Sequence, residues 1–128
     1  MTPRPRTAFT LIELLVVVVI IGILAAIAIP KFQNTKGRAN AAALKSDLRN
    51  LAVAQEAYYY DHQGYADDIT LLNAHTSPGV IITLATPTGG GWIATATHPA
   101  SYPLRCTLFF GAMTPPPPAD VEGIPACK

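Results

Sequence analysis

The sequence has few charged residues. Asp, Glu, Lys and Arg make up 13% of its 128 residues, about half of the roughly 25% that is usual in soluble domains. Nine basic residues nearly balance eight acidic ones and leave a formal net charge of +1. A nucleic-acid partner is therefore not indicated, because such proteins carry a marked basic excess. The length allows one globular domain rather than two.

Cysteine is also scarce. Two cysteines exclude a four-cysteine zinc site and a disulfide-dense small protein. The three histidines lack the spacing of paired metal ligands, and no serine stands in a nucleophile elbow. The glycines at 89–91 lack the lysine and the following helix of a phosphate loop. We therefore expect no enzymatic activity, no catalytic residue, no metal site and no cofactor, with Asp67 and Asp68 giving only a weak signal for calcium.

The apolar residues are concentrated near the N-terminus. Hydrophobic residues are 50% of the chain, and they run almost without interruption from Phe9 to Ile29. As an α-helix this segment is about 31 Å long, which matches the hydrocarbon core of a bilayer. Lipid offers no hydrogen-bond partners to a free backbone, so a spanning segment must be helical. The sequence predicts one transmembrane helix at residues 9–29.

One residue of this segment is charged. Glu13 lies near its start, where an ionised side chain costs several kcal/mol on insertion scales. Solvation at the headgroup boundary would reduce that cost. A cation at the same depth would offset it, and cleavage after Ala8 would supply one as the new α-amino group of Phe9. The residues alone leave both interpretations open.

Residues 8–32 closely resemble the N-terminal signature of type IV pilins and their pseudopilin relatives. The resemblance covers a short basic leader, Phe9 as the first mature residue and Glu13 as the fifth. Gly22 and Pro30 stand where the family places a glycine and a proline. Most members have glycine before the cleavage point, whereas this chain has Ala8, a substitute also found within the family.

The resemblance implies a structural, filament-forming function. Residues 1–8 would be a leader that prepilin peptidase removes before it methylates the amine of Phe9. The helix would hold the subunit in the inner membrane, with a cytoplasmic N-terminus, until the pilus assembly machinery adds it to copies of itself in an extracellular pilus. There Glu13 would meet the Phe9 amine of an adjacent subunit. In the filament, the resemblance implies that the helix would melt between Gly22 and Pro30.

Three alternatives remain. A type II secretion pseudopilin, which forms a short piston-like filament, has the same signature. An ordinary secretory signal peptide would place its cleavage site after Ala26-Ile27-Ala28 and start the mature protein at Ile29. A membrane-tethered binding module would use the C-terminal part of the chain as a ligand site.

Residues 30–60 continue the helix as an amphipathic segment. Pro30 is expected to kink or loosen the helix, which then runs to about Tyr60. One stripe of apolar side chains has helical spacing and consists of Leu44, Leu48, Leu51 and Tyr58. The opposite face is predicted to be polar and consists of Lys45, Asp47, Arg49, Asn50 and Glu56.

Residues 61–128 form the predicted head. A short helical turn is expected near Ile69–Asn73, and strands are expected at Val80–Ala85, Trp92–Thr97 and Leu104–Phe110. Thr86 and the residues that follow it, up to Gly91, form a turn. In the second strand the alternating residues Trp92, Ala94 and Ala96 share one face, and in the third Leu104, Cys106, Leu108 and Phe110 do so.

The fold class expected from these elements is α+β. A long N-terminal helix would pack on an antiparallel sheet of three or four strands, which pilins share by resemblance. Cys106 and Cys127 would close a disulfide loop that contains the rigid run Pro115 to Pro118. Closing a loop of this length stabilises a small head by roughly 3 kcal/mol and indicates an oxidising location outside the cytoplasm.

Overall fold

The computed structural model describes residues 8–86 and 90–128. Most of the predicted leader, including Arg4 and Arg6, and the middle of the predicted turn at 87–89 lie outside the described residues. The chain divides into two compact units between Lys36 and Gly37. Among the described residues, the first unit contains residues 8–10 and the N-terminal part of the long helix, and the second contains the rest of that helix together with a sheet.

The long helix α1 extends over Leu11–His62. It starts two residues after Phe9 because Thr10 caps its first turn, and it ends two residues beyond the predicted Tyr60. A left-handed backbone at Gln63, with φ of 56°, terminates it. Pro30 lies inside α1, and the helix continues on both sides of it without interruption.

Four strands form one antiparallel sheet in the order β1-β2-β3-β4, which is the sequence order. They are β1 at Ile81–Ala85, β2 at Trp92–Thr97, β3 at Arg105–Phe110 and β4 at Ala126–Cys127. Three or four strands were predicted, and the sheet has four. The predicted α+β class is confirmed. The first and third predicted strands each begin one residue later than expected, and the predicted helical turn is a 3₁₀ turn at Ile69–Leu72.

The core of the head lies between one side of α1 and one face of the sheet. Helix α1 contributes Leu44, Leu48 and Leu51, which are fully buried. The sheet contributes the fully buried side chains Trp92, Ala94, Ala96, Cys106 and Leu108. These are the stripe and the two strand faces that the alternation of the sequence predicts, and the alanines leave room for the helix to lie close to β2.

Asp47 corrects the predicted polar face of α1. It is only 5% exposed, and its carboxylate oxygens accept hydrogen bonds from the backbone N–H of Ser77 at 2.7 Å and from the Ser77 hydroxyl at 3.0 Å. A buried carboxylate is stable only when such donors replace its water. Asp47 therefore fastens the segment before β1 to the helix instead of facing solvent.

Gln55 is buried on the apolar side of the same helix, four residues after Leu51. Its side-chain amide donates to the carbonyl of Ala66 and accepts from the N–H of Ala66, both at 2.9 Å. The two bonds satisfy a buried backbone N–H and C=O at once. The connection after α1 is thus held by one amide side chain.

Replacing Asp47 with alanine should lower the free energy of unfolding of the head by about 2 to 3 kcal/mol. The substitution removes two charge-assisted hydrogen bonds and leaves the N–H of the half-buried Ser77 without its partner. Denaturation of the detergent-solubilised full-length chain can be followed by the fluorescence of Trp92, the single tryptophan, which is buried in the core. Arg49→Ala, at an exposed position of the same helix, should change the free energy of unfolding by less than about 0.5 kcal/mol. Equal losses of stability in the two variants would contradict the stabilising role of the hydrogen bonds between Asp47 and Ser77.

Candidate functional site

The start of α1 is built as a capping box. The backbone N–H of Thr10 donates to Glu13 Oε2 at 2.8 Å, and the Thr10 hydroxyl donates to the same oxygen at 2.7 Å. In return the Glu13 N–H donates to Thr10 Oγ1 at 3.3 Å. This reciprocal pattern satisfies donors that a helix start leaves open. The spacing Thr-x-x-Glu was visible in the sequence, but the function of Thr10 was missed there.

The partners of Glu13 within its own chain are neutral. Both Thr10 donors bind Oε2, and in residues 8–86 and 90–128 no hydrogen bond to Oε1 is present. Glu13 also lines a surface groove of about 380 Å³, together with Phe9, Ile12, Val16 and Val17. One carboxylate oxygen therefore stays available to a donor from outside, in an otherwise apolar surface.

The N-terminal apolar segment, residues 9–32, presents its large side chains to the surroundings. Phe9 is 83% exposed and Phe32 74% exposed, and every large apolar side chain between them is exposed as well. By length and composition α1 is able to cross a membrane, and none of its most apolar stretch is buried in the chain. Water is not a stable surrounding for such a surface, so it requires lipid or other protein.

The predicted processing residues lie just before the helix. Ala8 and Phe9 are exposed and precede the first residue of α1. A protease requires an exposed peptide bond, and both residues that flank this one are exposed. Gly22 and Pro30, the predicted limits of melting, both lie within the continuous helix. The melting was proposed for an assembled filament and stays a prediction.

Cys106 and Cys127 form a disulfide, as the resemblance implied. They are opposite each other in the β3–β4 pair. The loop that they close runs back along β3, where the Gly123 N–H donates to the carbonyl of Phe109 at 3.0 Å. The side chain of Phe109, which points away from the main core, is only 3% exposed. The hydrogen bond from Gly123 holds the loop against β3, an attachment that the sequence did not predict.

The three consecutive tyrosines of α1 do not stack on each other, because successive residues of a helix point in different directions. Tyr58 stacks on His62 with ring centroids 4.0 Å apart, Tyr59 contacts Tyr65 at 4.7 Å, and Tyr60 is exposed. These rings pack locally. Burial, and then Glu56, raise the pKa of the Tyr65 phenol above its ordinary value.

Asp68 makes its hydrogen bonds to Thr70, two residues later in the chain. Its carboxylate accepts from the N–H and the hydroxyl of Thr70, both at 2.7 Å, and caps the first 3₁₀ turn. These hydrogen bonds lower the pKa of Asp68 below its ordinary value. Over residues 8–86 and 90–128 no group of three or more His, Cys, Asp or Glu side chains could hold a metal ion.

Comparison with known proteins relates both the N-terminal segment and the head to one family. The Prokaryotic N-terminal methylation motif matches residues 3–29. The chain is 32% identical over 99 residues to the type IV wide pilus major component PilA4 of Thermus thermophilus. The aligned region covers 74% of this chain and 76% of that protein. The chain belongs to the type IV pilin family. The alignment is too long to arise from the apolar segment of a pilin alone.

Two further relatives match this pilin over about half of its length. The type IV major pilin protein PilA of Myxococcus xanthus is 48% identical over 65 residues, which are 51% of this chain and 29% of that protein. The type II secretion system core protein G of Pseudomonas aeruginosa is 40% identical over 65 residues, or 51% of this chain and 46% of that protein. The matched region spans less than half of either relative, so these similarities do not extend to the whole of either protein.

Proposed function

We propose that this pilin is a structural subunit of a type IV pilus, made as a prepilin and assembled through its N-terminal helix. The observation that carries the proposal is the exposed apolar segment at residues 9–32, with a single carboxylate, Glu13, at its start. A surface of this kind demands an apolar surrounding. A bilayer provides it first, and the helices of other copies provide it in the filament.

The move from membrane to filament requires little net change in apolar contact. Lipid tails and the side chains of neighbouring helices are similarly apolar, so packing and polar pairs decide the association of such helices. Gly22 supports close packing, since no atom outside its own helical surroundings lies within 4 Å of the position of an added Cβ. Small residues of this kind let helix backbones approach each other.

Glu13 supplies the polar pair in this proposal. Thr10 satisfies one of its oxygens with neutral donors, and the negative charge remains. An uncompensated charge in an apolar bundle is costly. The α-amino group of Phe9 on an adjacent subunit carries the opposite charge and would form at the same depth once residues 1–8 are removed. The pair would fix the axial position of each new subunit.

Processing creates that amine. In this proposal prepilin peptidase cleaves after Ala8 and methylates Phe9, with the leader in the cytoplasm and the head outside. The match of residues 3–29 to the N-terminal methylation motif supports the modification, and the exposure of Ala8 and Phe9 supports access by the peptidase. We assign the chain no catalytic activity, in keeping with relatives that are named as pilins and fimbrial proteins.

Fibres sheared from the cell surface should contain this chain starting at a methylated Phe9. Intact-mass spectrometry should show a mature protein without residues 1–8 and with one additional methyl group, because the pilus is built only from cleaved subunits. Ala8→Gly, the residue more common in the family, should be processed at least as completely. A mature protein that starts at Ile29, or one that keeps Met1, would contradict the proposal.

A pseudopilin is the second candidate. It is favoured by the 40% identity to the type II secretion system core protein G of Pseudomonas aeruginosa. Both candidates predict the same mature N-terminus, so the sheared fraction decides between them. A surface pilus would place most of the chain in the sheared fibres, whereas a short secretion filament would leave it with the cell envelope.

A further inference from the structure

A second apolar groove lies at the far end of the apolar segment, where α1 leaves the predicted span. It has a volume of about 370 Å³ and is lined by Ala28, Ile29, Phe32 and Gln33. The Phe32 ring is exposed, and the lining changes from aliphatic to polar toward the C-terminus. The same change takes place in a bilayer, where hydrocarbon gives way to headgroups.

Lys36 lies on the groove side of α1, one turn beyond the lining. It follows Phe32 by four residues and Gln33 by three, and residues with these spacings are neighbours on a helix surface. Lys36 is exposed, and helical side chains lean toward the N-terminus, so its ammonium group can reach the end of the groove. Lys31 is also exposed, but it lies about 140° away around the helix.

The charge of Lys36 has no counter-charge on its own stretch of helix. No acidic residue occurs between Glu13 and Asp47, so the neighbours three and four residues away provide none. A parallel copy of the chain in the same bilayer lies at the same depth and presents the same acid-free segment. Another copy therefore supplies no carboxylate to Lys36 at this level.

The level of Lys36 matches the headgroups of a bilayer. Its Cα is seven residues beyond Ile29, the end of the predicted span, which is about 10 Å along the helix axis. The side chain leans back by about one turn, or about 5 Å. The ammonium is then about 5 Å from the hydrocarbon, within a headgroup region that is roughly 5 to 8 Å thick on each side. The anion available at this depth is a lipid phosphate.

We propose that the groove and Lys36 together bind one anionic phospholipid, such as phosphatidylglycerol, from the leaflet on the side of the head. One acyl chain would lie against Ala28, Ile29 and Phe32, and the phosphate would bind the Lys36 ammonium. The Gln33 amide would donate to a phosphate or ester oxygen. A zwitterionic lipid fits less well, because its own cation already compensates the phosphate. The site rests on the membrane stage of the proposed function and makes no use of pilus assembly.

The test is native mass spectrometry of the full-length protein, released from detergent micelles that contain equal amounts of dioleoylphosphatidylglycerol and dioleoylphosphatidylcholine. The two lipids share their acyl chains and a phosphate, but the second also carries a cation and has no net charge. We expect phosphatidylglycerol to bind with a dissociation constant at least about tenfold lower. Equal affinities for the two lipids would overturn the proposal.

Two lysine variants separate the groove from general charge attraction. Lys36→Gln should weaken the binding of phosphatidylglycerol about tenfold and remove the preference for it. Lys31→Gln removes a cation from the same stretch of α1 but from another side of the helix, and it should leave the preference unchanged. Equal losses in the two variants would overturn the proposal, because they would show that the lipid responds only to net charge.

The apolar part of the site is tested by Phe32→Ala. This variant should weaken the binding of both lipids by a similar factor, about tenfold, and keep the preference for phosphatidylglycerol. Glycerophosphoglycerol, which is the headgroup without acyl chains, should not displace the lipid. Displacement by this headgroup would overturn the proposal. So would a protein dimer that Phe32→Ala abolishes in the absence of any selective lipid binding, since the groove would then belong to a second copy.

Because micelles contain no filament, this result is independent of pilus assembly. A preference for phosphatidylglycerol in a chain that forms no fibres would keep the lipid site and reject the assembly proposal. A chain that builds pili but binds the two lipids equally would keep the assembly proposal and reject the lipid site.

Discussion

Glu13→Gln is expected to reduce incorporation into filaments by about 100-fold while membrane insertion and cleavage after Ala8 continue. The amide keeps the size of the side chain and can still accept from Thr10, but it leaves the ammonium of an adjacent Phe9 without a counter-charge. A lone charge at such a depth costs about 3 kcal/mol on insertion scales, which corresponds to the stated factor. Quantifying the subunit in sheared fibres and in the membrane fraction measures both effects.

Thr10→Val is the matched control for this prediction. It removes the hydroxyl that donates to Glu13 at 2.7 Å but keeps the carboxylate and its charge. If the interaction between subunits is what matters, Thr10→Val should assemble and Glu13→Gln should not. Equal defects in the two variants would show that Glu13 acts by capping its own helix, and normal pili from Glu13→Gln would refute the pairing.

Loss of the disulfide should destabilise the head by about 3 kcal/mol. Replacing Cys106 and Cys127 together with serine opens a loop with a sequence separation of 21, and the unfolded chain regains the corresponding entropy. The loop would also lie less firmly against β3, since the hydrogen bond from Gly123 is one of its attachments to that strand. Denaturant unfolding followed by Trp92 fluorescence should show a lower midpoint.

Reductant provides the control for the disulfide prediction. Dithiothreitol should shift the midpoint of the wild-type chain toward that of the double serine variant, and it should not change the variant. Coincident midpoints for the oxidised wild type and the variant would mean that the head is held by its apolar core alone.

Patterns that repeat along the chain predicted the main elements correctly. The helical spacing of Leu44, Leu48 and Leu51 and the alternation in β2 reflect burial against a partner surface, and burial is what such patterns record. The start of β2 at Trp92 is well defined because the glycines before it break the strand. The disulfide between Cys106 and Cys127 was expected from the resemblance to pilins, and the sequence has no other cysteine.

Polar residues that are buried by one specific tertiary contact were predicted less well. Asp47 looks like any surface acid of a helix, and only the position of Ser77 after folding makes it internal. Gln55 is likewise buried because the chain returns to it at Ala66. A helical pattern cannot show which loop comes back to which side chain, so these contacts depend on the tertiary fold.

Close approach of backbone segments was also hidden from the sequence. A Cβ atom on Gly111 would lie 2.6 Å from the Cα of Gly91, and one on Gly91 would lie 2.2 Å from the carbonyl oxygen of Phe110. The sequence analysis assigned Gly91 to a turn, but its second function, to let the end of β3 pass close by, becomes evident only in the folded head.

A cryo-EM map of the assembled filament tests the central claim most directly, through the distance between the Glu13 carboxylate and the Phe9 nitrogen of an adjacent subunit. The account predicts that the N-terminal helices form the filament core and that these two groups lie within about 3 Å of each other, as a charge-assisted hydrogen bond requires. A core in which Glu13 faces only apolar side chains, or a filament held together by the heads with residues 9–32 outside the core, would contradict it.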